Sequence, residues 1–281
     1  MKKTILSLFA FILLANVCTA QISDIGLFLG VAKYKGELSN SFFTPYMFHP
    51  AYGVYYRHNF NRHWAARLGV TFGSVEGDDA NSKYDYEVNR NLSFKSVIQE
   101  ASGTFEFNFL AFELGNYNYD FTPYFFWGLS IFRFNPTAEF RGIEYELQPL
   151  ATEGQETFSY PRRRKYSLIS AAMPFGGGFK INADNVGFTI ELGARRTYTD
   201  YLDDVSTTYT NLNVLRAENG DIAAKLSDRS LGDAPLVYNG KQRGDEAHPD
   251  WFMFCGVSAY ISIGGRFKYA CKQFHPHRMS H

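Results

Sequence analysis

The 281-residue chain is poor in cysteine (three) and tryptophan (three), and it has no charge surplus, with 28 Lys and Arg set against 28 Asp and Glu. Three cysteines cannot build a disulfide scaffold. Zero net charge gives no general attraction to nucleic acid, so no nucleic-acid partner is expected. No segment beyond the amino terminus carries 18 uninterrupted apolar residues, which excludes a later transmembrane helix. The chain also lacks a Gly-Lys-Ser/Thr phosphate loop, a His-Glu-x-x-His pair and a Gly-x-Ser-x-Gly elbow. Gly176-Gly177-Gly178 sits in a strand-like stretch without the strand-to-helix context of a dinucleotide site, and reads as a barrel bend. No enzyme activity, cofactor or metal is expected. What the chain has in quantity is aromatic residues, at 17% with 27 Phe and 19 Tyr. Together with 45% hydrophobic residues they exclude disorder, although the mean hydropathy is only −0.26.

Lys2 and Lys3 precede an apolar run from Ile5 to Val17, and Cys18-Thr19-Ala20 ends in a small residue. This is the order of a secretory signal peptide over 1–20, with cleavage expected between Ala20 and Gln21. Val17 stands where a lipobox wants a small residue, so Cys18 is not read as a lipidation site. Removing the leader leaves 26 basic and 28 acidic residues, a net charge of −2.

After Gln21 the pattern is period two. Val186, Phe188, Ile190, Leu192 and Ala194 alternate with small or polar residues, as do Val257, Ala259, Ile261, Ile263 and Phe267. The same holds over 64–73 and 96–109, and more weakly over 25–35, 49–60, 122–134 and 166–181, giving eight candidate strands. The connections at 36–48, 61–63, 77–91, 110–121, 135–165, 182–185 and 201–250 alternate strictly between longer and shorter. That asymmetry points to an all-β fold, an eight-stranded antiparallel transmembrane barrel of the outer membrane with long extracellular loops. Tyr52, Tyr55, Tyr56, Trp64, Tyr124, Phe125, Trp127, Tyr198, Tyr201, Trp251 and Phe252 lie near strand ends, where interfacial girdles belong. Residues 21–270 read as one barrel domain and 271–281 as a periplasmic tail.

An eight-stranded barrel has room inside only for side chains or one small ligand. Arg67, Glu100, Glu106, Lys180, Glu191, Arg195, Arg266 and Lys268 are placed inward, as a charge network that should pair and plug the lumen. Asp200, Asp203 and Asp204 open the longest loop and read as a solvated turn rather than a cation site. His275, His277 and His281 with Cys271 match no compact metal site. Cys255 and Cys271 lie about 50 Å apart along one extended strand, too far to bridge. Cys271 is therefore a candidate intermolecular thiol in an oxidising compartment. Asp245, His248 and Asp250 are the only rim residues resembling a catalytic group.

Three stretches resemble a known family. They are Arg90-Asn91-Leu92-Ser93-Phe94-Lys95-Ser96 with Glu100-Ala101-Ser102 and Phe105 to Phe109, Phe132 to Pro136 with Leu147 to Gln155, and Arg195 to Tyr209. They are similar to the PorG family, an outer-membrane β-barrel component of the type IX secretion system, over about Ile25 to Tyr269. The resemblance implies a non-enzymatic role: tying the periplasmic ring of the PorK lipoprotein and PorN, with other secretion-system subunits, to the outer membrane during secretion and gliding. It supplies no catalytic residues. The motif containing Asp200, Tyr201, Asp203, Asp204, Thr207 and Thr208 is expected to order its loop through local backbone hydrogen bonds, and the ring contact to involve the 61–63, 110–121 and 182–185 turns and the tail. An adhesin-like or protective barrel binding an external ligand through its long loops is the alternative.

Overall fold

The computed structural model describes residues 22–39, 42, 47–116, 118–183, 185–231 and 240–263. Ala20, Gln21, Arg266, Lys268, Cys271 and the histidines of the tail lie outside these residues.

Eight long strands alternate lipid-type and interior-type side chains because each carries a period-two sequence. They are β1 (Ile22–Lys35), β2 (His49–Asn59), β3 (Trp64–Asp78), β4 (Ser93–Asn108), β5 (Phe121–Arg133), β8 (Ile169–Ala183), β9 (Val186–Thr197) and β10 (Trp251–Ile263). Each pairs antiparallel with its neighbours in the order β3-β2-β1-β10-β9-β8-β5-β4, and β3 pairs again with β4. The last pairing closes the sheet, from Trp64 opposite Phe107 to Asp78 opposite Ser93. Closure leaves the eight-strand wall without an edge, so its backbone groups can pair within it. The eight strands expected from the sequence are all present. Four are longer at the end bearing the long connections: β3 runs five residues past the expected 73, β4 starts at 93 instead of 96, β9 runs to 197 instead of 195, and β10 starts at 251 instead of 256.

The long connections, 36–48, 79–92, 134–168 and 198–250, all leave one end of the barrel. The short ones, 60–63, 109–120 and 184–185, leave the other, beside Ile22 and Ile263. These ends are called outer and inner below. The 134–168 connection contains a hairpin, β6 (Pro136–Phe140) with β7 (Ile143–Glu146), that extends the outer end of β4. The 198–250 connection contains two short helices, Leu212–Asn219 and Asp221–Ser227.

Outward positions round the middle of the wall are mostly apolar: Leu27, Leu29, Leu68, Val97, Leu129, Ile131, Ile190 and Val257 are all more than half exposed. Exposed apolar surface of this extent is unusual on a water-facing protein. It forms the belt expected of a lipid-facing wall. Tyr52, Tyr56, Trp64, Phe125, Trp127 and Tyr198 face outward with it. Tyr55, Tyr124 and Phe252 do not: they are buried inside. Neighbours along a strand point to opposite faces, so Tyr55 and Tyr56 cannot both join a girdle. Tyr201 is packed in the loop above the outer end, its ring stacked 4.5 Å from that of Tyr166.

The interior has two storeys. The inner half is charged. The outer half is filled by Phe28, Ile98, Phe132, Phe252 and Phe254, continuous with Tyr34, Phe94, Phe134, Leu147, Leu202 and Val205 from the loops and strand ends. Glycine makes room where the aromatic rings are largest. A Cβ at Gly176 or Gly193 would lie 2.8 or 2.6 Å from Cζ of Phe126, which is wholly buried. At Gly176 the Leu192 carbonyl oxygen, 2.1 Å from the same Cβ, is nearer still, so only glycine fits there.

Candidate functional site

The inner half of the lumen gathers side chains from seven strands around Glu106, which is fully buried. Lys180 Nζ donates to Glu106 Oε2 at 2.6 Å and to Asn108 Oδ1 at 2.8 Å. Arg57 Nε lies 2.9 Å from Oε2 and Arg67 Nε 3.1 Å from Oε1. Neither of those N–H groups is aligned for a hydrogen bond, so these two contacts are primarily coulombic. Arg67 instead donates bidentately to Glu191, at 2.5 and 3.2 Å, and Tyr124 donates to the same carboxylate at 2.5 Å. Arg195 Nε donates to Glu100 Oε2 at 3.2 Å, nearer the outer half. Arg57 also contacts Asp24 at 3.5 Å. Among the described residues, the inward wall therefore sets four cations (Arg57, Arg67, Lys180, Arg195) against four carboxylates (Asp24, Glu100, Glu106, Glu191). Arg57 and Asp24 were missed in the sequence because β1 and β2 alternate weakly. The signal was there in the parity of Tyr55 and Arg57. Each of these buried charges lies beside one of opposite sign, as a narrow lumen requires.

The inner mouth is closed by a floor. Arg62 pairs with Glu113 at 2.9 Å and lies 4.3 Å above the Tyr119 ring. The Gly115 amide donates to Asn182 Oδ1 at 3.1 Å, and the Phe112 amide to the Arg62 carbonyl at 3.1 Å. A 12-residue connection is long for an inner turn, and here the length has a use: it crosses to both neighbouring turns. Phe112, Glu113 and Leu114 line a narrow space shared with Asp24, Arg57 and Lys180.

The outer mouth is closed by a cap built on Glu153. Its carboxylate accepts from the Ser206 amide at 3.0 Å, from Thr207 Oγ1 at 2.5 Å and from Arg243 Nη1 at 3.0 Å. Asp204 accepts from Thr152 Oγ1, and from the Tyr166 hydroxyl at 2.7 Å. Arg163 donates to the Glu153 carbonyl at 2.6 Å and to Thr208 Oγ1 at 2.6 Å. Arg90 grips Asp79 bidentately, both bonds at 2.7 Å, and reaches the Arg243 carbonyl at 2.8 Å. The stretches around Arg90, Leu147–Gln155 and Arg195–Tyr209 thus converge on one structure. Asp203 and Asp204 are fully buried, which corrects the solvated-turn reading. The local bonds expected of the motif are few, chiefly Asp203 Oδ1 accepting from the Val205 amide at 2.9 Å. Thr207 and Thr208 serve distant partners instead.

Beside the cap, Glu37, Asp200 and Asp250 bring one carboxylate oxygen each within 4.8 Å of one another. The Tyr34 hydroxyl donates toward Asp203 at 2.6 Å and Asp250 at 2.9 Å. A phenol has one hydrogen, so both contacts are satisfied only when a carboxyl carries a proton and donates back. Burial, reinforced by neighbouring carboxylates, pushes Glu37 up to about 7 and Asp200 up to about 8, and raises Asp203 and Asp250 well above the usual range. Asp204 is raised to about 6 by burial, against the pull of Arg243. Asp245 and His248 form an exposed pair at 2.6 Å, while Asp250 turns away into the cap. Cys255 is a half-buried free thiol on the wall, beside Leu192 and Val31.

Solved structures similar to this chain share little sequence with it. The attachment invasion locus protein Ail of Yersinia pestis is 10% identical, covering 87% of this chain and 100% of its own, with a TM-score of 0.39. Neisserial surface protein A is 9% identical over 87% and 98%, with a TM-score of 0.39. The N-terminal β-barrel domain of Pseudomonas aeruginosa OprF is 12% identical over 85% and 97%, with a TM-score of 0.33. No curated protein matches the sequence. Residues 2–225 match a described family across most of the barrel and its cap, and the chain belongs to that family, Domain of unknown function (DUF6089).

Proposed function

We propose that the protein is a non-catalytic outer-membrane barrel acting as an anchor, not a conduit, in the type IX secretion machinery. The observation that carries the anchor reading is the lumen, where Glu106 is held by Arg57, Arg67 and Lys180 between a folded floor and a folded cap. A wall this apolar has no place in water, and a chain exported by a leader over 1–20 would meet such a bilayer only at the outer membrane. The secretion assignment rests on the sequence resemblance to the PorG family, which names the PorK and PorN ring as partner.

On this reading the ring side is the inner end, where the 60–63, 109–120 and 184–185 turns present one connected surface. Replacing 111–120 with a short turn should reduce co-purification of the ring lipoprotein. Undiminished recovery would remove the floor as the contact. Purified protein in planar bilayers should give no sustained single-channel current, and large currents would sink the anchor reading. The adhesin reading draws on the ordered cap: if deleting 210–245 leaves secretion intact but abolishes surface binding, that alternative wins.

A further inference from the structure

At the outer end of the barrel, three neighbouring strands place three outward residues side by side. Arg196 of β9 is in register with Trp251 of β10, and Trp251 with Lys35 of β1. At about 4.8 Å between strands, the backbones of Arg196 and Lys35 stand about 10 Å apart, with that of Trp251 between them. Arg196 and Lys35 are exposed and Trp251 half-exposed. Among the described residues neither cation has an ion pair; Lys35 Nζ lies only near the Phe42 ring, at 5.8 Å. Glu37 and Asp200 belong to the carboxylate cluster of the cap, and Glu37, Glu87 and Asp245 line a cavity that Lys35 and Trp251 also border. Trp251 is fixed edge-on to Phe175 at 5.9 Å, also on the outward face.

The two ends of the wall differ in charge. At the inner end the outward residues of the described strands include Tyr56, Trp64, Phe105, Phe121 and Phe179, with no Lys or Arg. At the outer end Arg133 of β5 and Lys95 of β4 are also exposed and outward, adding to Lys35 and Arg196. On the eight barrel strands the outward acids at this end, Glu76 and Asp78, lie on β3, three strands round from Trp251, and Glu76 is paired with His49 at 2.7 Å; further exposed acids, Glu139, Glu144 and Glu146, lie on the β6–β7 hairpin beyond β4. A Trp flanked by two unpaired cations at headgroup level suits a ligand with an apolar body and an anionic head.

We infer that Arg196, Trp251 and Lys35 form a docking site for a phosphate-bearing glycolipid of the outer leaflet, its phosphates on the two cations and its sugar or upper acyl chain against the indole. The inference rests on the outer-membrane reading above, and the charge asymmetry selects the outer leaflet over the inner.

The test uses the full chain refolded into phosphatidylcholine vesicles containing either diphosphorylated lipid A or its dephosphorylated form, with bound lipid counted by native mass spectrometry after gentle extraction. A basic residue near an anionic surface contributes about fivefold. Wild type should prefer the phosphorylated lipid, R196Q or K35Q should each lose about fivefold of that preference, and the double variant about twenty-fivefold. K83Q, an exposed lysine of the 79–92 connection, removes the same charge and should change nothing. Equal retention of both lipids by wild type, or unchanged preference in the double variant, overturns the docking site. Failure to insert at all, read by flotation with the vesicles, overturns the membrane reading instead.

Discussion

Glu153 and Arg243, 90 residues apart in the chain, form an ion pair at 3.0 Å with both side chains almost completely buried. The same carboxylate holds the amides of Ser206 and Thr207, so one acid anchors three segments of the outer cap. Removing it strands a guanidinium in a sealed site, which costs more than the pair is worth. E153A should destabilise the cap by about 3–5 kcal/mol. Limited proteolysis in detergent should then cut within 198–231 while the barrel strands stay resistant. Equal protease resistance in E153A and wild type would refute the anchoring role.

Glu106 plays the corresponding part in the lumen. E106Q keeps the shape but leaves Arg57, Arg67 and Lys180 with too little negative charge, at a cost of about 3–5 kcal/mol. The urea midpoint should fall, and K180M should restore part of the loss by removing one uncompensated cation. If E106Q unfolds at the wild-type midpoint, the network is not what holds the lumen.

The carboxylate cluster gives the cap a pH dependence of defined sign. Glu37 and Asp200 have ordinary values of 4.5 and 3.8 and are raised to about 7 and about 8 when folded. The folded cap therefore binds more protons than the unfolded chain between pH 4 and 8, and stability falls as pH rises through that window. Cap amides should exchange faster at pH 8.5 than at pH 5.5, after correction for intrinsic exchange. E37Q and D200N should flatten the difference, and an opposite slope would contradict the cluster's protonation.

The inner floor depends on Asn182, whose side chain accepts from the Gly115 amide at 3.1 Å and reaches the Asn116 carbonyl at 3.3 Å. N182A should raise amide exchange at Gly115 about tenfold, the effect of losing about 1.4 kcal/mol of hydrogen bonding, with barrel stability little changed. Unchanged exchange would mean that the floor is held by Arg62 and Glu113 alone.

How far the sequence could be read depended on how local each signal was. Val186 to Ala194 and Val257 to Ile263 declare strands because alternation needs only residues two apart. The lumen charges were partly legible for the same reason: Arg67 and Glu191 share the inward parity of their strands, whereas Asp24 and Arg57 sit in segments whose weak alternation hid it. The cap was not legible. Arg243 and Glu153, Arg90 and Asp79, Asp204 and Thr152 are partners separated by 11 to 90 residues. Nothing in either neighbourhood announces the other.

The sequence by itself determined the number of barrel strands, their antiparallel order, and the division of connections into a long set and a short set, though not the β6–β7 hairpin inside one of them. Those features follow from a two-residue period and from chain length. Only the tertiary structure decided that Tyr55 and Tyr124 turn inward while Tyr56 and Phe125 face lipid, that Asp203 and Asp204 are buried, and that the 109–120 connection is a floor. Closing the barrel fixes one absolute face for every strand and brings distant loops over a common mouth. A buried charge can then be satisfied only by whatever partner that closure places beside it.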